Sequence, residues 1–149
     1  MYLPPFDAIL NKINIPKNEF EKIEEVCIPA ELLKLLLQIS LISVEFNEAV
    51  YLAANPDVAE GIRNGKVSNA RAHFVSYGYF EGRHGATPPV DEEWYLNSYQ
   101  DVAAAIQNKT TEIKTAAEHF DAVGAAEGRS PSAKYVSVAQ AWKKALSRS

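Results

Sequence analysis

The sequence predicts an all-α protein, a compact bundle of short helices containing two tandem helical repeats and flanked by N- and C-terminal helices. Three observations predict it. The stretch from Val44 to Arg83 is written a second time from Val90 to Arg129, and self-similarity at a fixed period marks a repeated supersecondary unit. No stretch alternates apolar and polar residues strongly enough for a strand. Apolar residues recur instead at three- and four-residue spacing, with Pro, Asn and Gly where helices start and stop.

The first copy carries Tyr51-Leu52, Asn55-Pro56-Asp57-Val58-Ala59, Ile62, His73-Phe74, Gly78 and Glu81-Gly82-Arg83. The second carries Tyr95-Leu96, Asp101-Val102-Ala103, Ile106, His119-Phe120, Gly124 and Glu127-Gly128-Arg129. Tyr51 and Tyr95 stand 44 residues apart and His73 and His119 stand 46 apart, so two residues are inserted between the Ile and the His of the second copy.

Residues 1–17 hold Pro4, Pro5 and Pro16 and predict an irregular arm with a helical turn around Phe6 to Ile13. Asn18 is placed to cap a helix over Glu19 to Val26, where Phe20, Ile23 and Val26 recur. Pro29 suits the first turn of a helix reaching Ser43. Its leucines and isoleucines from Leu32 to Ile42 go almost all the way round, which predicts a central core helix. The alternative is that one face meets a second subunit.

In the first copy, Phe46 to Ala54 reads as a short helix. Asn55 as N-cap, Pro56 at the first position and Asp57 in the first turn then open another, ended by Asn64-Gly65. Ser68 is expected to cap a third, with Ala70, Phe74 and Tyr77 on its inner face and Gly78 as the left-handed residue that stops it. In the second copy Asp91 caps a helix with Trp94, Tyr95 and Leu96. Ser98 or Tyr99 opens the next, and Thr110 or Thr111 caps a third, with Ala116, Phe120 and Val123 in register and Gly124 closing it. Pro131 and Ser132 lead into a last helix, Ala133 to about Leu146. Its apolar stripe is Tyr135, Val138, Ala139, Trp142 and Leu146, with Lys134, Lys143, Lys144 and Arg148 at its rim and end. The expected organisation is a single domain over 1–149. It comprises an N-terminal arm and helices (1–43), repeat 1 (44–85), repeat 2 (86–131) and a C-terminal helix (132–149).

The formal charge of -4 and pI near 5.4 argue against nucleic-acid binding, which needs a basic surface. Cys27 is alone, so no internal disulfide or cysteine-based zinc site is expected. The N-terminus lacks the basic and apolar regions of a secretory signal, and the run from Leu32 to Ile42 falls well short of the ~20 residues a membrane span needs. Membrane insertion is not expected. A cytoplasmic location is the default, and a secreted or surface one applies if the chain is a piece of a larger protein.

His73 and His119, with nearby carboxylates, are the residues a metal would want. No i, i+4 ligand pair is present, so the expectation is no metal and no cofactor, each His bonding a backbone carbonyl or helix end instead. Arg83 and Arg129 each follow a glycine, and each guanidinium is expected to return to Asp57 or Asp101 at the helix start of its own unit. The clamp is therefore Asp57, Arg83, Asp101, Arg129, His73 and His119. Tyr79, Phe80 and Tyr99 sit at expected turns and, with Trp142, are the candidate contact residues for a protein or a glycan. No phosphate loop, nucleophile elbow or other catalytic signature is present, so no enzyme is expected.

Over about residues 44–131 the pattern Tyr-Leu, Asn-Pro-Asp-Val-Ala, His-Phe, Gly and Glu-Gly-Arg resembles a short helical repeat of bacterial proteins. The first copy matches it in Tyr77-Gly78 as well, and the second has Tyr99-Gln100 where the Asn-Pro pair stands. The resemblance implies an accessory module of secreted, surface or polysaccharide-related proteins, with no catalytic activity and no defined ligand. Two functions are expected from the whole. The first is a non-catalytic module for protein–protein interaction or self-association, including a homodimer through the Leu32–Ile42 face. The second is a carbohydrate-associated binding module of a bacterial surface or glycan-synthesis system.

Overall fold

The computed structural model describes residues 3–85 and 87–147. Among the described residues the fold is all-α, with nine α-helices and no strand. They are α1 (Phe6–Lys12), α2 (Ala30–Ser43), α3 (Glu48–Ala54), α4 (Pro56–Arg63), α5 (Ala70–His73), α6 (Glu92–Ser98), α7 (Gln100–Gln107), α8 (Ala116–His119) and α9 (Val136–Leu146). They fall into two compact units, Met1–Arg83 and His84–Ser149, each built round one copy of the repeat.

In the first unit α3 starts where expected, because Asn47 Oδ1 accepts from Val50 N at 3.1 Å. Pro56 opens α4 at its first position. The helix after the turn is capped by Asn69, not Ser68: its Oδ1 accepts from Ala72 N at 2.7 Å. Leu10, Leu41, Tyr51, Val58, Ala70 and Phe74 are buried here.

Past His73 the helix widens for one turn to i→i+5 bonding, with Tyr79 N donating to Phe74 O at 2.9 Å. The extra residue per turn carries Tyr77 off the inner face and keeps Gly78 on it. Tyr77 is therefore 61% exposed, against the expectation that it completes the Ala70–Phe74 stripe. Gly78 is not left-handed either. The left-handed residue is Gly82, at φ +75°. There Arg83 N donates to Gly78 O at 2.8 Å and Gly82 N to Tyr79 O at 3.1 Å, the paired bonds of a Schellman stop.

The second unit repeats the plan. Asp91 Oδ1 caps α6 through Trp94 N at 3.0 Å. Tyr95, Val102, Ala116 and Phe120 form the core, with Val90, Trp94, Leu96, Tyr99 and Ile106 packed against it. Thr115, not Thr110 or Thr111, caps α8, accepting from Glu118 N at 3.1 Å. Thr110 instead donates to Ala105 O at 3.2 Å and Thr111 accepts from Ile113 N at 3.2 Å, so both belong to the loop that absorbs the two inserted residues. The same widened turn follows His119. Val123 is exposed, Gly124 is buried, and the left-handed residue is Gly128.

The stop of α7 differs in one respect. Where the first copy has Gly65 at φ +75°, the second has Lys109 at φ +52°. A side chain there crowds the following carbonyl, at a cost on the order of 1 kcal/mol. Lys109→Gly is therefore expected to stabilise the second unit by about 0.5–1 kcal/mol. A urea midpoint that fails to rise would refute this.

Two expectations about the flanking segments do not hold. The helix over Glu19 to Val26 is a single 3₁₀ turn, Phe20–Lys22, which ends at Ile23 in extended backbone. Neither Asn18 nor Glu19 supplies a side-chain cap, and three-residue spacing fits a 3₁₀ turn better than an α stripe. Phe20 holds the turn by packing edge-on against Phe6 at 5.0 Å. Next, α2 is not a core helix. Only Leu41 on it is buried, because too few residues elsewhere in this unit lie against it. Its C-terminal end is fixed to the first copy by Arg71, whose Nη1 donates to Ile42 O at 3.0 Å and Val44 O at 3.2 Å. On α9, Val138, Trp142 and Leu146 are all exposed, as a contact role for Trp142 requires. Arg148 lies outside the described residues.

Candidate functional site

Each unit folds its chemistry-bearing residues into one corner. In the first, Tyr51 from α3 reaches His73 at the end of α5, with Oη 3.0 Å from Nδ1. Burial raises the Tyr51 phenol above its usual range, an effect that Arg83 opposes. The phenol keeps its proton, and the direction of its bond with His73 depends on which ring nitrogen carries the imidazole proton. The second unit has the same pair, Tyr95 Oη to His119 Nδ1 at 3.0 Å. Burial pushes Tyr95 up to about 12. The histidines thus bond a tyrosine hydroxyl, not the backbone carbonyl or helix end expected of them.

Arg83 turns back across the start of α4. Its Nη1 donates to Asp57 Oδ1 at 3.0 Å and its Nη2 lies 2.9 Å from Asp57 Oδ2, a two-pronged pair. Its Nε donates to Glu81 Oε2 at 2.8 Å. Its Nη1 also donates to Asn55 Oδ1 at 2.9 Å. Asn55 is thus held by Arg83 and donates to Tyr51 O at 2.7 Å, so it does not cap α4 with its side chain as expected. Arg129 makes the same fork to Asp101, at 2.9 and 2.7 Å, and bonds Glu127 at 2.6 Å.

Tyr99 stands where Asn55 stands in the first copy. Its ring lies 4.9 Å from the Arg129 guanidinium carbon and 4.6 Å from the Tyr95 ring, and its hydroxyl accepts from Ser130 N at 2.7 Å. It is half-buried and spent on the corner, which corrects its reading as an exposed contact residue.

The Asp57 carboxyl is held below its usual range, first by the hydrogen bond from Arg83. Asp101 is held at about 2 by the hydrogen bond from Arg129. Both arginines are shifted up by the same bonds. Because the Asp101 value lies below its ordinary 3.8, its contribution to stability is full above about pH 4 and is lost as pH falls toward 2. The side chain is 63% exposed, so solvent screening keeps that contribution under about 1 kcal/mol. Asp101→Asn is expected to flatten the dependence of unfolding midpoint on pH between 4 and 2. An unchanged slope would show that Asp101 contributes nothing there.

These residues do not converge on an open cleft. His73 points its Nδ1 at Tyr51, while Asp57 and Glu81 are both on Arg83. Among the described residues no group of three or more His, Cys, Asp or Glu is placed to hold a metal ion. No helix among them is long and apolar enough to cross a membrane.

Two hollows mark the surface, one apart from the first corner and one bordering the second. A hollow of about 400 Å³ in the first unit is lined by Leu3, Pro4, Ile9 and the Leu32, Leu35, Leu36 and Ile39 side of α2. A shallower groove of about 460 Å³ in the second unit runs between Arg129-Ser130 and the Val136–Lys143 side of α9. Tyr79 and Phe80 are part-exposed with rings 5.4 Å apart, and Lys34 Nζ lies 5.1 Å over the Phe80 ring. The second copy has Ala125 and Ala126 in their place.

Sequence reasoning missed the tyrosines as partners of the histidines. The signal was present, since Tyr51/His73 and Tyr95/His119 are repeated together, but nothing in their spacing pairs a ring with a ring. Comparison of the chain with protein-family models, curated proteins and solved structures finds no match.

Proposed function

We propose that this chain is a non-catalytic helical repeat module that associates with protein, its own copy included, through apolar helix faces that its own fold leaves open. One observation carries the reading. On α2 the side chains Leu32, Leu35, Ile39 and Ile42 recur at intervals of three, four and three, the seam by which one helix packs along another. Leu35 is 47% exposed and Ile42 45%. The residues that chemistry would need are each bonded within the corner, His73 and His119 to tyrosine hydroxyls and Asp57 and Asp101 to arginines, which supports a structural role for the corners.

The carbohydrate reading has less support. Of its four aromatic residues, Tyr99 is spent on Arg129 and Ser130, and one face of Phe80 lies under Lys34. Tyr79 and Trp142 remain.

Light scattering on the full chain tests the proposal. The mass is expected to exceed the 16.5 kDa of one chain as concentration rises, and Leu35→Glu with Ile42→Glu should return it to that value. A strict monomer with no protein partner would overturn it. Glycan binding lost on changing Tyr79 and Phe80 to Ala would favour the second reading.

A further inference from the structure

Resting on that reading, we infer that the occupant of the α2 face is α9 of a second copy, packed antiparallel, so that association is head-to-tail rather than α2 on α2.

Charge selects the partner. The chain that leads into α2 carries Glu19, Glu21, Glu24, Glu25 and, in the first turn of the helix, Glu31, against Lys22 and, further along the helix, Lys34. All five carboxylates belong to exposed residues. Two such faces brought together would set acid against acid, and like charges across an interface oppose it. The other open apolar helix has the opposite character. From Ser130 to Ser147 there is no Asp or Glu, while Lys134, Lys143 and Lys144 are present.

Shape agrees with charge. On α9, Val138, Trp142 and Ala145 recur at four and three, an interval also found on α2 between Leu35, Ile39 and Ile42. Trp142 is 59% exposed and is the largest apolar side chain on that face. Tryptophan is among the residues that most often anchor protein interfaces, seated in a desolvated pocket. The hollow beside Leu32, Leu35 and Ile39 presents such a site. Lys143 and Lys144 lie in the last turn of α9 and Glu31 in the first turn of α2. Pairing them runs the two helices in opposite directions, which also opposes their dipoles favourably.

A mixing experiment on the full chain tests this. One variant loses the α2 face (Leu35→Glu with Ile39→Glu), the other the α9 face (Trp142→Glu with Val138→Glu). Circular dichroism first establishes that each keeps its helices, and as all four positions are uncovered or line an open hollow, folding is expected to survive. Each variant alone is expected to be monomeric by sedimentation velocity, and the 1:1 mixture to form a dimer, because one sound face of each kind remains. Trp142→Ala alone should weaken association about 30-fold, and raising salt from 50 to 500 mM about tenfold. If the α9 variant alone still associates, head-to-tail packing is wrong while self-association stands. If wild type is monomeric, both fall.

Discussion

Gly78→Ala is expected to destabilise the first unit by about 2–4 kcal/mol, and Gly124→Ala the second by a similar amount. A Cβ on Gly78 would collide with Tyr51 Oη and crowd Tyr51 Cζ at 3.3 Å and Phe74 Cδ2 at 3.4 Å. On Gly124 it would collide with Tyr95 Oη and approach His119 Nδ1 at 3.3 Å. Tyr51 and Tyr95 are buried and hydrogen-bonded to histidine, so neither can swing away without leaving that ring nitrogen unpaired. The mechanism has a sharper test in a double-mutant cycle. Tyr51→Phe alone should cost about 1–1.5 kcal/mol for the lost bond. Combined with Gly78→Ala it should cost less than the sum, by 1 kcal/mol or more, because the atom that the new methyl strikes is gone. Additive losses in chemical unfolding would show that the clash is not the cause.

Phe74→Ala is expected to cost about 3–5 kcal/mol, whereas Tyr77→Ala should change stability by no more than about 0.5 kcal/mol. Phe74 is 1% exposed and packs against Phe46 at 5.3 Å, Tyr51 at 5.4 Å and Tyr79 at 6.1 Å. Tyr77 meets only the edge of this cluster, through His73 at 5.9 Å. An undistorted helix would bring the two residues closer to the same face, and their losses would then be of the same order. Comparable midpoint shifts for the two variants would count against the widened turn.

That contrast shows where the sequence was legible. Local rules worked where the stabilising group sits within a few residues of what it stabilises. Pro56 before Asp57, Asp91 before the α6 amides and Asn64-Gly65 after α4 could be placed from neighbours alone. Arg83 and Arg129 could be assigned to Asp57 and Asp101 because the duplicated glycine and acid narrowed the choice. What could not be read depended on partners more distant in the chain. Gly78 and Gly124 look like helix stops until tyrosines 27 and 29 residues earlier are seen to lie against them. Ser68 and Thr111 are good caps in composition, yet Asn69 and Thr115 occupy the position that the helix start selects. The leucines of α2 carry a core signature, but apolar surface is buried only where other atoms come to cover it, and sequence alone does not count those atoms.

The backbone bond from Asp91 N to Pro131 O, at 3.0 Å, also bears on how such a chain can be rearranged. It puts residues at the two ends of the second copy side by side. A segment whose two ends already touch can be spliced into a surface loop of another protein without prising that loop apart, and excised without leaving a gap. Its Arg129–Asp101 and Tyr95–His119 ties travel with it, so a transplanted copy brings along the bonds that hold it shut.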